Sequence, residues 1–170
     1  MLEKIKSKYP SSLCLGLDHS QELLTYGAKK FSQINFIRAD IQNLNFLKDE
    51  TFDVLIATAV IEHLENPAAI LQGSLRLLKK GGIIIITSPC PFWERISSAL
   101  GLIVKEKHQN VLKLEKILSL CKKAGLNILQ YKGFMLSPVG MIGELQIERM
   151  LVKMKLDKFL PNQLVVARKG

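Results

Sequence analysis

Two carboxylates stand where chemistry is possible. Asp18 ends the apolar run Ser12–Asp18 (SLCLGLD), and Asp40 follows the run Ile34–Arg38 (INFIR), with one helix-like stretch between them. If both runs are strands of a parallel sheet, each acid lies just past a strand's carboxyl end, where ligands of such sheets bind. An acid there can accept hydrogen bonds from both hydroxyls of a ribose, and charge-assisted bonds of that kind orient a ligand as well as hold it. An acid past the neighbouring strand can accept the exocyclic amine of adenine, while the backbone amide of Ile41 reaches a ring nitrogen. The pair would bracket a nucleoside lying across the strand ends. Each acid also has a purely structural use: Asp18 can cap a helix or start a turn, and Asp40 can cap a turn before Asn43-Leu44-Asn45. Thr58 and Pro89 follow two further apolar runs in the same manner.

The elements that must position these residues alternate along the chain. Ser20 can cap a helix whose apolar positions Leu24, Ala28 and Phe31 have helical spacing. Phe52–Thr58 (FDVLIAT) reads as a third strand. Asn66-Pro67 then supplies an N-cap and a first-turn proline for a helix with the stripe Ile70, Leu71, Ser74, Leu75 and Leu78, stopped by Gly81-Gly82. Ile83–Thr87 (IIIIT) is a fourth strand, apolar on both faces as a central parallel strand is. A helix through Leu114, Ile117, Leu118, Cys121 and Ala124 ends at Gly125, and Leu126–Phe134 and Gln163–Arg168 complete the strands. This pattern predicts an α/β fold with a mainly parallel, Rossmann-like sheet and helices on both faces.

Composition narrows the classes. A chain of 170 residues, 48% hydrophobic and 23% charged, fits one folded domain rather than a disordered segment. The longest apolar runs fall far short of the ~20 residues a membrane span needs. Met1–Lys6 resembles an amphipathic helix rather than a signal peptide, so a cytoplasmic protein is expected. Cys14, Cys90 and Cys121 are scattered, with no Cys-x-x-Cys pair and no histidine at ligand spacing, which predicts free thiols and no metal. The formal charge of +9 resides in short lysine-bearing helical stretches, which reads as solvated helix faces; attraction to an anionic substrate or membrane surface is the alternative. Without an arginine run or interleaved aromatics, nucleic acid is not indicated as a partner.

Taken in order, GLDHS (16–20), FIRADIQNL (36–44), FDVLIATAVIEHLENP (52–67), LLKKGGIIIITSPCP (77–91) and, more loosely, HQNVLKLEKILSLCKKAGLNIL (108–129) resemble class I S-adenosylmethionine (SAM)-dependent methyltransferases, particularly the methyltransferase-11-like group. The set covers nearly the whole chain. The resemblance implies SAM as cofactor, with Asp18 on the ribose, His19 near the adenine, Asp40 and Ile41 reading the adenine edge, and Thr58 and Ala59 lining the methionine end. It also places Glu62-His63 at the turn after a strand. His63 could cap that turn or hydrogen-bond from the helix it opens; general-base catalysis is the alternative. Methyl transfer depends chiefly on in-line positioning, so a dedicated base is not required.

The family's pattern has a first strand and a glycine-rich loop before the helix that precedes GLDHS. Here that helix is Leu2–Tyr9, and Gly16, the earliest glycine, lies within a strand. The fold expected is therefore the methyltransferase sheet lacking its first strand. Glycines in that loop let the backbone approach the cofactor closely. Loss of a central strand leaves its two neighbours with open edges, at roughly 1–3 kcal/mol for each buried unpaired group. Three explanations are open: a fragment of a longer protein, which is favoured; a strand supplied by another polypeptide; or direct closure of the second strand on the fourth.

Residues 1–170 are read as one incomplete methyltransferase domain. Segments 89–107 and 135–160 fall where the family inserts lid or acceptor elements. Phe92 and Trp93 could stack on an acceptor or pack in the core, and His108 matches a position near the lid. In 135–160, Ile147, Met150, Leu151 and Met154 have helical spacing with Arg149, Lys153 and Lys155 between them. An amphipathic helix packed on the sheet is the plain reading, and a lipid-facing lid with basic flanks the sharper one. The function expected is methyl transfer to a hydrophobic or anionic small-molecule acceptor, with peripheral membrane contact as an open partner. A methyltransferase-like subunit supporting an active partner is the alternative. A nicotinamide-dependent oxidoreductase also uses an acid after its second strand, but it leaves EHLENP and KKGG unexplained.

Overall fold

A computed structural model describes residues 1–93, 95, 112–134, 144–154, 156 and 160–170. They form two compact units, Met1–Leu47 and Lys48–Gly170.

Met1–Leu47 contains α1 (Leu2–Lys8), β1 (Leu15–Asp18), α2 (Gln21–Lys30) and β2 (Asn35–Arg38). The strands are parallel, from Leu15 opposite Asn35 to Asp18 opposite Arg38. The connection from α1 to β1 is tied by Lys6, whose Nζ donates to the carbonyls of Pro10 and Ser12, both at 2.7 Å. α2 starts where the sequence predicts: Ser20 is extended, and its Oγ accepts from the Leu23 amide at 3.3 Å. Two glycines make room for one aromatic ring. A Cβ on Gly16 would lie 2.7 Å from the Phe36 ring, and a Cβ on Gly27 would lie 2.9 Å from it. Phe36 is thus held between its partner strand and α2, which fixes the helix close against the sheet.

Lys48–Gly170 contains β3 (Phe52–Thr58), a 3-10 turn (Ile61–His63), α3 (Pro67–Leu77), β4 (Leu78–Pro89), α4 (Leu114–Lys123), β5 (Leu126–Phe134), α5 (Glu144–Lys153) and β6 (Asn162–Lys169). Its sheet runs β3-β4-β6-β5, parallel between β3 and β4 and antiparallel on both sides of β6. The class is α/β, as expected, with parallel pairing confined to β1–β2 and β3–β4. The ladder partner of β1 is β2 and that of β3 is β4.

α3 begins as predicted, with Pro67 at its first position and the Asn66 side chain accepting from the Ala69 amide at 3.4 Å. Its end differs from expectation. The helix stops at Leu77, and Leu78 already belongs to β4. Gly81 and Gly82 do not terminate a helix; they form an irregularity in the β3–β4 ladder, whose register shifts between Phe52 and Val54. Gly81 has φ +75°, and a Cβ on Gly82 would meet the backbone oxygens of Lys79 and Asp53 at 2.9 and 3.1 Å. Leu78 is fully buried in either reading, so its apolar character does not distinguish them.

The core lies on one face of β4 and β6. Ile84 pairs with Ala167 and Ile86 with Val165, and all four side chains are buried. The next pair in the same alternation is Ser88 with Gln163, also buried. No helix among the described residues is long and apolar enough to cross a membrane. The thiols of Cys14, Cys90 and Cys121 are all free.

Candidate cofactor site

In Met1–Leu47 both acids sit at the carboxyl ends of neighbouring parallel strands. Asp18 is the last residue of β1, and its carbonyl accepts from the amide of Ala39, which brings Asp40 to the adjoining tip. Each carboxylate is braced by its own turn: Asp18 Oδ1 accepts from the Ser20 amide and Asp40 Oδ1 from the Gln42 amide, both at 2.8 Å. The structural uses foreseen for these acids are therefore real. A carboxylate braced in this way keeps one oxygen oriented and leaves Oδ2 as a further acceptor. The Asp18 side chain is 37% exposed and Asp40 is exposed, so both are open to solvent. His19 extends outward, 92% exposed, with Nδ1 3.5 Å from Asp18 Oδ1. Ile41 is half-buried beside Asp40. Arg38, not singled out by sequence reasoning, stiffens this end: its Nε donates to the His19 carbonyl at 3.0 Å.

In Lys48–Gly170, Thr58 is the exposed last residue of β3. Ala59 follows with φ +51°, a left-handed conformation that is uncommon for a residue with a Cβ and concentrates at functional sites. Its amide donates to the Thr87 carbonyl at 3.0 Å, fastening the turn to the tip of β4. The chain then enters the 3-10 turn, where Glu62 is buried at 2% exposure and His63 is exposed, its amide bonded to the Val60 carbonyl. Past β4, Phe92 and Trp93 are exposed and meet edge to face, with ring centroids 5.8 Å apart at 84°. His108, most of 89–107 and part of 135–160 lie outside the described residues.

Comparison with known proteins shows the family. Residues 2–86 match the family described as "Methyltransferase domain". The chain belongs to that methyltransferase family. It is of the class I, SAM-dependent type, and SAM is the family's cofactor. The trans-aconitate 2-methyltransferase of Methylobacterium nodulans is 31% identical over 51% of this chain and 33% of that protein. The ubiquinone/menaquinone biosynthesis C-methyltransferase of Campylobacter jejuni is 28% identical over 70% of this chain and 60% of that protein. The chain thus spans between a third and three-fifths of the length of these curated relatives. Among solved structures, the methyltransferase in complex with the Trm112 methyltransferase activator of Haloferax volcanii superposes with a TM-score of 0.78. It is 14% identical, over 99% of this chain and 77% of that one, which is a likeness of fold.

The residues of this methyltransferase chain fit the nucleoside half of SAM by the chemistry of their donor set. Acceptor-only carboxylates are what a vicinal diol and an exocyclic amine need, and they occur at neighbouring strand tips. Besides Arg38, two features escaped sequence reasoning. The conformation of Ala59 has no signal in its side chain. The burial of Glu62 could have been suspected from its place between Ile61 and Leu64, both buried.

Proposed function

We propose that this chain carries out SAM-dependent methyl transfer to a small-molecule acceptor of hydrophobic or anionic character. The observation that carries the proposal is the pair of braced carboxylates at the tips of β1 and β2. Asp18 would hold the ribose hydroxyls, with His19 beside the adenine; Asp40 and the Ile41 amide would read the adenine edge, and Thr58 and Ala59 would line the methionine end. The cofactor supplies an activated methyl group. The protein's part is to orient the donor and hold the acceptor in line, which can lower the barrier by several kcal/mol without a base. His63, exposed on its turn, keeps the structural role of shaping the chain after β3, with general-base action as the lesser reading.

For the acceptor, Phe92 and Trp93 offer an exposed aromatic surface past a strand tip. On α5, Arg149, Met150 and Lys153, followed by Met154, are exposed, while Glu148 is turned toward Lys132, 3.2 Å away. A stripe of cations and apolar side chains, with Glu148 paired elsewhere, supports an apolar or anionic acceptor and contact with an anionic membrane surface. The named relatives act on an acid, trans-aconitate, and in quinone biosynthesis, and the same two chemistries are proposed here. Co-sedimentation with anionic liposomes and a panel of acceptors checks this. Absence of liposome binding, with turnover only on protein or RNA, would rule it out.

A further strand bearing a glycine-rich loop is also part of the proposal. β3 is apolar from Val54 to Ala57, yet among the described residues it ends its sheet with Val54 46% exposed, a poor use of such a strand. SAM is expected to bind the 170-residue chain at least about tenfold more weakly than a version carrying that added segment, the value of one or two hydrogen bonds to a charged ligand. Calorimetric titration of both proteins decides it, and equal affinities would remove the idea. The same end strands support a second reading, a methyltransferase-like subunit that works with a partner. An in-frame strand and glycine-rich loop encoded upstream of Met1 favours the enzyme; a stop codon close upstream favours the subunit.

A further inference from the structure

The strongest buried polar cluster outside the candidate site surrounds Gln163, at the start of β6. Its side chain is 6% exposed, and it continues the alternation that buries Val165 and Ala167. An apolar residue would suit that row. Instead the amide nitrogen donates to Ser88 Oγ at 3.1 Å, to the Pro89 carbonyl at 3.0 Å and to the Leu112 carbonyl at 2.5 Å. Two hydrogens facing three acceptors means that one is shared, and all the available donor capacity is used. Two residues earlier, the Pro161 carbonyl accepts from the Cys90 amide at 2.7 Å. The chain therefore leaves β4 at Cys90 and returns at Leu112 onto the same short stretch, 161–163. Ser88 is itself 3% exposed, so these bonds are shielded from competing water.

We infer that Gln163 is a positioning residue that clamps the exit from β4 and thereby sets where the Phe92–Trp93 pair stands. A leucine in its place would satisfy packing but leave the Leu112 carbonyl and the Pro89 carbonyl without their shared donor. The pair would then lose the fixed base from which it projects. The significance of the pair for an acceptor rests on the reading given under Proposed function, but its placement can be measured without any acceptor.

Trp93 is the single tryptophan of the chain, so its fluorescence reports on this position alone. Acrylamide quenching of Trp93 in the full chain tests the clamp, with thermal melts in parallel. Gln163→Leu is expected to raise the quenching constant by about twofold or more through local opening. Gln163→Asn, which keeps the amide but shortens its reach by one methylene, should give a smaller rise in the same direction, and it decides the matter if Gln163→Leu does not fold. Val165→Ala, buried at 1% on the same strand, should lower the melting temperature and leave quenching unchanged. Wild-type quenching in the folded Gln163 variants would overturn the inference. So would an equal rise in Val165→Ala, since the effect would then be one of stability alone. Failure of methyl transfer would leave this test untouched.

Discussion

Met1–Leu47 has two four-residue strands and two helices, and its buried apolar side chains are Cys14 and Ile34, just ahead of the strands, and Leu24 on α2. Lys48–Gly170 buries a far more continuous set, with Leu77, Leu78, Ile84, Ile117 and Ala167 each at 1% exposure or less. The carboxylates proposed to hold the nucleoside belong to the first unit, and the aromatic pair proposed for the acceptor belongs to the second. A two-stranded ladder is marginal by itself. The strand tips of the first unit are held by turn hydrogen bonds and one clamped phenylalanine, whereas those of the larger unit rest on close packing beneath them. The proposed binding groups and the stabilising groups are, to a large extent, different residues.

The contrast can be broken by substitution. Leu77→Ala is expected to cost about 2–5 kcal/mol by chemical denaturation, with Leu24→Ala at or below the lower end of that range. Equal losses would erase the distinction between the units. Asp18→Asn, which keeps a turn acceptor but removes the charge, should weaken SAM binding by about tenfold to a hundredfold with little change in melting. Asp40→Asn should do so to a smaller degree, and calorimetry measures both. Gly16→Ala should destabilise by about 1–3 kcal/mol through overpacking against Phe36, and Phe36→Leu in the same chain should recover part of it. The least effect concerns Cys121. Burial pushes its thiol from 9.0 up to about 11, with a backbone hydrogen bond pulling the other way. The folded chain keeps this proton over a range where the unfolded chain releases it, so stability should fall as pH rises from about 9 to about 11. Cys121→Ala should flatten that slope in melts run across the range.

Much of this architecture was legible because local rules and burial agreed. FDVLIAT forms a strand over the residues expected, Asn66-Pro67 opens its helix, and Asp18 and Asp40 arrive at strand tips. The end of α3 was misread because helical spacing runs on through Leu78, and both a helix and a central strand bury that residue. The turn acceptors of Asp18 and Asp40 are local and could be anticipated from residue type. The Gln163 cluster could not, since it joins β6 to Ser88 and to Leu112 across long separations in the chain. Nor could the left-handed Ala59, which depends on the bond to Thr87 from a different strand.

β6 is last in chain order, yet it lies between β4 and β5. On a ribosome, those two strands would emerge with no ladder joining them and would wait, edges open, for residues 162–169. Folding of this sheet is therefore deferred until residues 162–169 have emerged, and it is dominated by distant pairings, which slows it. Until that strand threads home, Val165 and Ala167 leave a slot in the core that a neighbouring nascent chain could fill by mistake.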